Sequence, residues 1–175
     1  MSALNPLRER QAPIKERFAA DPNAGKITIA VDSVTEGNDP MLVTIGAAAD
    51  PSWTWDSSAH PLAGGDGELP CSGDIFLASL AACQEITLRM VAAAMGIELK
   101  KANVRVEGDM DFQGTMGTNP ETPVGFTALR ILVDIEADAP ADRVERLVQR
   151  AEKYCVIAST LRNPPSVELK VSTGN

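Results

Sequence analysis

Apolar and polar residues alternate in KITIAVD (26–32), where Ile27, Ile29 and Val31 share a face, and MLVTIGA (41–47) is a second strand-forming run. TEGNDP (35–40) between them is turn-rich, so this part of the chain predicts a hairpin. Ahead of it, residues 1–24 hold Pro6, Pro13 and Pro22 and few strand formers, which reads as an arm with one short helix. Residues 50–73 carry several Gly and Pro and read as a long loop of the kind that lines or covers a site. Gly64, Gly65 and Gly67 fit no phosphate-cradling spacing and read as turn.

The pattern then becomes helical. Ser72 can cap a helix whose N-terminus Asp74 favours, and Gly96 is placed to stop it after Met95. Beyond Asp74 its clearly polar positions are Ser79, Gln84, Glu85, Thr87 and Arg89, so the helix should be buried on most sides yet too polar to span a bilayer. Two long strands follow, ANVRVEGDMDFQG (102–114), with Val104, Val106, Gly108, Met110 and Phe112 on one face, and VGFTALRILVDIEAD (124–138), with Leu129, Ile131, Val133 and Ile135 on one face. TMGTNPETP (115–123) joins them as an antiparallel hairpin. Pro140 opens a helix with Val144, Leu147, Val148 and Ala151 in a stripe, and KYCVIASTLR (153–162) continues it or begins another. NPP (163–165) ends the helix, and SVELKVS (166–172) alternates as a final strand. The order β-β-α-β-β-α-(α)-β pairs its strands, which favours an α+β fold with antiparallel sheets over a doubly wound one. The division predicted is an arm over 1–24 and a single domain over 25–175.

Composition narrows the function. The core must be mainly aliphatic, because two Trp, one Tyr and four Phe are the only aromatic side chains. A net charge of −8 and a pI near 4.7 argue against nucleic-acid or membrane-surface partners, which call for basic patches. LRERQAPIKERF (7–18) interleaves its basic residues with acids and reads as a solvated face. The opening residues lack a signal-peptide pattern, and no run reaches about 18 apolar residues. Three widely spaced cysteines, Cys71, Cys83 and Cys155, form no secreted disulfide framework, so the expectation is a cytoplasmic protein with reduced thiols.

A helical cysteine is commonly a small core hydrophobe. Cys83, however, is followed at once by Gln84 and Glu85, and Cys155 follows an amphipathic stripe that should pack inward. Two inward-facing thiols from distant segments can meet, which a disulfide-cycling enzyme requires and a core does not. A zinc site would need Cys71, Cys83, Cys155 and His60 to converge without any CxxC spacing, and His60 has no orienting partner in sequence for a Cys–His pair. The reading is therefore no metal and no cofactor.

GDGELPCSGDIFLASLAACQEITLRMVAAAMGIEL (65–99) resembles the central segment of the osmotically inducible protein C / organic hydroperoxide resistance (OsmC/Ohr) family. There a long apolar helix carries a reactive cysteine at the end of an LxAxxAAC-like run. AEKYCVIASTL (151–161) resembles the family's second-cysteine segment, and the resemblance spans roughly residues 25–172. It implies an intertwined homodimer with a long central helix and sites at the subunit interface. It also implies a stress-defence peroxidase that reduces organic hydroperoxides, with Cys83 peroxidatic and Cys155 resolving, re-reduced by an external dithiol of dihydrolipoyl type. The family's activating arginine and glutamate have no clean match. The first hairpin lacks arginine, Gly73 stands ten before Cys83, Asp74 is the nearest acid and Arg17 the nearest N-terminal arginine. Val156 replaces the proline that commonly follows the second cysteine, and Cys71 is an extra thiol, either an alternative resolving residue or a loop cysteine. The missing pair favours a competing reading, a non-catalytic dimer that binds an apolar small molecule or senses redox state.

Overall fold

The computed structural model of the protein describes residues 4–35, 37–47 and 50–173; Glu36, within the expected 35–40 turn, lies outside them. The N-terminal arm is a longer helix than its prolines suggested. Helix formers from Arg8 to Arg17 carry α1 (Leu4–Ala20) past Pro13, with its side chains mostly in solvent. Next come β1 (Val31–Val34), β2 (Leu42–Ala47) and β3 (Asp50–Ser58), an antiparallel sheet in that order. β1 begins later than the alternation from Lys26 predicted, and Ile27 and Ile29 are both 81% exposed. β3 corrects the reading of 50–73 as one loop. Trp53 and Trp55 are strong strand formers, and Trp55 stands opposite Ile45 in the ladder. Pro51 and the flanking Ser and Asp residues masked that preference in sequence.

After a short 3-10 turn (Pro61–Ala63) the chain is fastened back onto β3. The buried Ser57 hydroxyl donates to the Pro70 carbonyl at 2.8 Å, and the Ser58 N–H donates to the same oxygen at 3.3 Å. That clamp fixes where α2 (Ser72–Met95) starts. Its N-cap is Cys71, one residue before the expected Ser72, and the Asp74 carboxylate accepts the Cys71 N–H at 2.9 Å. Gly96 ends the helix in the left-handed region at φ 66°, and Arg143 donates to the last-turn Met95 carbonyl at 2.6 Å.

β4 (Leu99–Met110) and β5 (Phe126–Ala137) form the expected antiparallel hairpin, with Val104 opposite Val133 and Val106 opposite Ile131. Phe112 is not on the strand. Asp111 accepts the Gln113 N–H at 2.9 Å and turns the chain into the short helix α3 (Phe112–Thr115). Gly108 makes room for Phe126, since a Cβ there would come within 2.5 Å of its ring. The hairpin's outer face is charged, with Arg130 bridging Glu107 and Asp109. α4 (Ala141–Tyr154) and α5 (Val156–Arg162) complete the described elements. SVELKVS does not form a strand: Val167, Leu169 and Val171 are 92%, 86% and 77% exposed. Its alternation is real, but among the described residues no strand pairs with it.

α2 packs across β4, α4 and α5 and touches α1. One cluster joins Leu88, Ala92, Ile97, Ala102, Leu147 and Ala151; another joins Leu80, Cys155 and Ala158, flanked by Cys83, Val106, Leu129, Ile131 and Ile157. Leu147 has no exposed surface, so Leu147→Ala should destabilise the fold by about 3 kcal/mol. Urea unfolding at matched protein concentration would show it as a lower midpoint with an unchanged slope.

The expectation that α2 is buried on most sides fails for the single chain. Its buried stripe is Leu80, Gln84, Leu88 and Ala92, four residues apart, while Ile86 and Met90 are 58% and 41% exposed on another side. Nor is it too polar for a bilayer by composition: an 18-residue window has hydropathy 1.4, with 22% of it buried in the chain. Mean apolarity does not see which face a polar residue occupies, and that is why the sequence reading went astray.

Candidate active site at a helix break

α2 carries Cys83 half-buried beside its buried stripe. The partner segment arrives because α4 stops at Tyr154. Cys155 takes an extended conformation (φ −70°, ψ 114°) and serves as both the C-cap of α4 and the N-cap of α5. This resolves the choice between one continued helix and two. The first amides of a helix have no partner within it, and those of Ile157 and Val156 donate toward the Cys83 sulfur. The fully buried Cys155 thiol packs in the same cluster as Cys83, and Thr87 stands one helical turn further along α2. The two thiols, far apart in sequence, are thus brought together, both free.

Their ionisation is split. Burial is the largest influence on Cys83 and opposes its charge, but the Ile157 N–H, the Cys155 thiol, the Val156 N–H and the Thr87 hydroxyl outweigh it and lower its pKa. Burial pushes the Cys155 thiol up, and its contact with the ionised Cys83 adds to this against the opposing amides of Ala158 and Ile157. The arrangement makes Cys83 the thiol that ionises more readily and Cys155 the one that keeps its proton longer. Its principal donors are uncharged.

The other candidates lie elsewhere. Asp74 caps α2 nine residues before Cys83, roughly 14 Å away along the helix axis. Cys71 is further still, roughly 18 Å by the same rise, beyond the ~7 Å between Cα atoms that a disulfide tolerates. Arg17 is exposed on α1, with its guanidinium 5.5 Å from the centre of the Phe18 ring. His60 accepts the Leu62 N–H and stacks on Phe112 at 4.6 Å. Among the described residues no group of three or more His, Cys, Asp or Glu side chains is gathered to hold a metal. An open cleft of about 370 Å³ lies beside Cys155, lined by Lys153, Tyr154, Val156, Ser159 and Thr160 among others. Thr87 was missed in sequence, although its i+4 spacing from Cys83 was the available signal. The Val156 and Ile157 amides carried no side-chain signal at all.

The family profile described as OsmC-like protein matches residues 65–170, a span that includes Cys83 and Cys155. No curated protein sequence matches the chain. Among solved structures, an OsmC-like protein from Mycoplasma pneumoniae aligns with TM-score 0.64 and 19% identity over 79% of this chain and 90% of that one. An organic hydroperoxide resistance protein OsmC from Legionella pneumophila aligns with TM-score 0.54 and 19% identity, covering 78% and 90%. The organic hydroperoxide resistance protein OhrB of Bacillus subtilis gives 0.51 and 21%, covering 79% and 93%. At these identities the likeness establishes a shared α+β fold.

Proposed function

The chain belongs to the OsmC-like protein family, and from that premise we propose that it is a thiol-dependent peroxidase that reduces organic hydroperoxides in oxidative-stress defence. One observation carries the reading: Cys83 and Cys155 are in contact, with Cys83 the more acidic of the two. The Cys83 thiolate attacks a peroxide oxygen; the S–O bond forms, the O–O bond breaks, and the departing alkoxide takes a proton to leave as the alcohol. Cys155 gives up its proton and attacks the sulfenic sulfur. The disulfide forms and hydroxide leaves as water. An external dithiol of dihydrolipoyl type then restores both thiols and is itself oxidised to a disulfide. Its attack falls on the Cys83 sulfur, because Cys155 is fully buried. The test is dithiol-supported consumption of an alkyl hydroperoxide by the wild type and by Cys83→Ser; equal slow rates in both would sink the reading.

The working unit is a homodimer. The uncovered apolar side of α2 at Ile86 and Met90, and the alternating segments at 26–30 and 166–172, which pair with no strand among the described residues, support it. Such edges and faces are normally covered. Sedimentation velocity should give a dimer for the wild type and a shift toward monomer for Ile86→Glu. A monomeric wild type at tens of micromolar would remove the dimer.

A further inference from the structure

The elbow between α4 and α5 turns on one residue. Cys155 is the single non-helical position between Tyr154 and Val156; its N–H donates to the Ala151 carbonyl at 2.9 Å, and its own carbonyl accepts the Ser159 N–H at 2.9 Å. Little apolar surface holds α5 in place beyond it. Ala158 is its one buried side chain and Ile157 is half-buried, whereas Val156 is 68% exposed. An alanine buries a small area and so contributes little. At the far end of α5, roughly 10 Å from Cys155 along the axis, Arg162 reaches back to the last turn of α4. One guanidinium nitrogen donates to the Glu152 carboxylate and the other to the Glu152 main-chain carbonyl at 3.4 Å. Among the described residues no other side chain of either helix bonds to the other helix. Residues 163–173 pair with no strand that would tether this end.

The cleft of about 370 Å³ lies along this elbow, lined from α4 by Lys153 and Tyr154 and from α5 by Val156, Ser159 and Thr160. Cys155 borders it and still has no exposed surface. A small outward swing of α5 about Cys155 is therefore enough to open the thiol to the cleft. We propose that Arg162 is a positioning residue for Cys155: by gripping the last turn of α4 it holds the elbow shut and seals the Cys155 thiol from the cleft. The two side chains of the grip are 45% and 51% exposed, so it shifts a local opening equilibrium without carrying the fold. In the peroxidase cycle, and resting on that reading, the seal confines the reducing dithiol to the Cys83 sulfur, where the new S–S bond forms while Cys155 leaves as the thiolate and takes up a proton. The seal itself does not rest on it.

The experiment measures addition of N-ethylmaleimide to Cys155 in the full reduced chain, on a Cys83→Ser background so that no adduct at Cys83 disturbs its neighbour. Initial rates are read on the Cys155 peptide by mass spectrometry, with Cys71 as the control outside the elbow. Arg162→Gln should speed Cys155 labelling about three- to fivefold, the scale on which an exposed ion pair shifts an opening equilibrium, and leave Cys71 unchanged. Glu152→Ala should speed it as well. The double variant should label no faster than Arg162→Gln, because both substitutions remove one interaction. An unchanged Cys155 rate in Arg162→Gln, an equal acceleration of Cys71, or effects that multiply in the double variant would overturn the assignment. If Arg162→Gln does not fold by circular dichroism, the Glu152→Ala rate decides the same question. Hydroperoxide turnover of the chain with Cys83 intact is recorded in parallel. A wild type without turnover, with Arg162→Gln still unsealing Cys155, overturns the peroxidase reading alone.

Discussion

Cys83→Ser will abolish dithiol-supported consumption of an alkyl hydroperoxide, lowering kcat/KM by about a thousandfold or more, the scale on which an enzyme loses its nucleophile. The substitution changes one atom on a half-buried helical position, so the fold should survive and the loss should be chemical. The donors at Cys83 stabilise a thiolate, and they cannot ionise a serine hydroxyl at neutral pH. The wild type supplies the matching signature. Because the Cys83 pKa is lowered, its rate with peroxide should climb with pH and level off below the ordinary thiol range, and acid should remove it by protonating Cys83. Initial rates across pH for both proteins check the outcome; a Cys83→Ser enzyme that keeps wild-type rates would end the case for this cysteine.

Cys155→Ser should separate the two halves of the cycle. Serine retains a hydrogen-bond donor toward Cys83, so the first attack on peroxide should change by only a few fold. What disappears is the thiol that captures the sulfenic acid. One equivalent of hydroperoxide per Cys83 should be consumed in a burst, after which steady turnover should fall by about a hundredfold. Dimedone should label the stalled Cys83 sulfenic acid, which the wild type closes into a disulfide before it can be trapped. Unchanged steady turnover in Cys155→Ser would mean that the external dithiol reduces the sulfenic acid directly and that Cys155 is a structural neighbour.

Where periodicity had a partner inside the chain, sequence was a sound guide. The β4–β5 hairpin was legible because Val104, Val106, Ile131 and Val133 face the same core, and α4 because Leu147 and Ala151 are its buried stripe. Reading failed where the deciding contact was local and polar, as at Asp111, whose carboxylate bends the chain before Phe112 can extend the strand. It failed also where alternation finds no pairing strand among the described residues, as for Val167, Leu169 and Val171. At the site, the two cysteines stood out by their helical settings and by family resemblance. The source of thiolate stabilisation did not, because it depends on one residue, Cys155, leaving helical geometry and so turning main-chain amides toward a side chain seventy-two positions earlier.

The neutrality of those donors bears on the conditions in which such a site can work. An arginine beside a thiolate acts through net charge, and dissolved ions weaken it wherever water reaches the pair, over a Debye length of about 8 Å at physiological ionic strength. Amide and hydroxyl dipoles at contact distance are barely touched by that screening. A rise in ionic strength around such a site therefore changes its field little. A nucleophile held by dipoles keeps its reactivity through such a change, although the chain around it carries a net charge of −8.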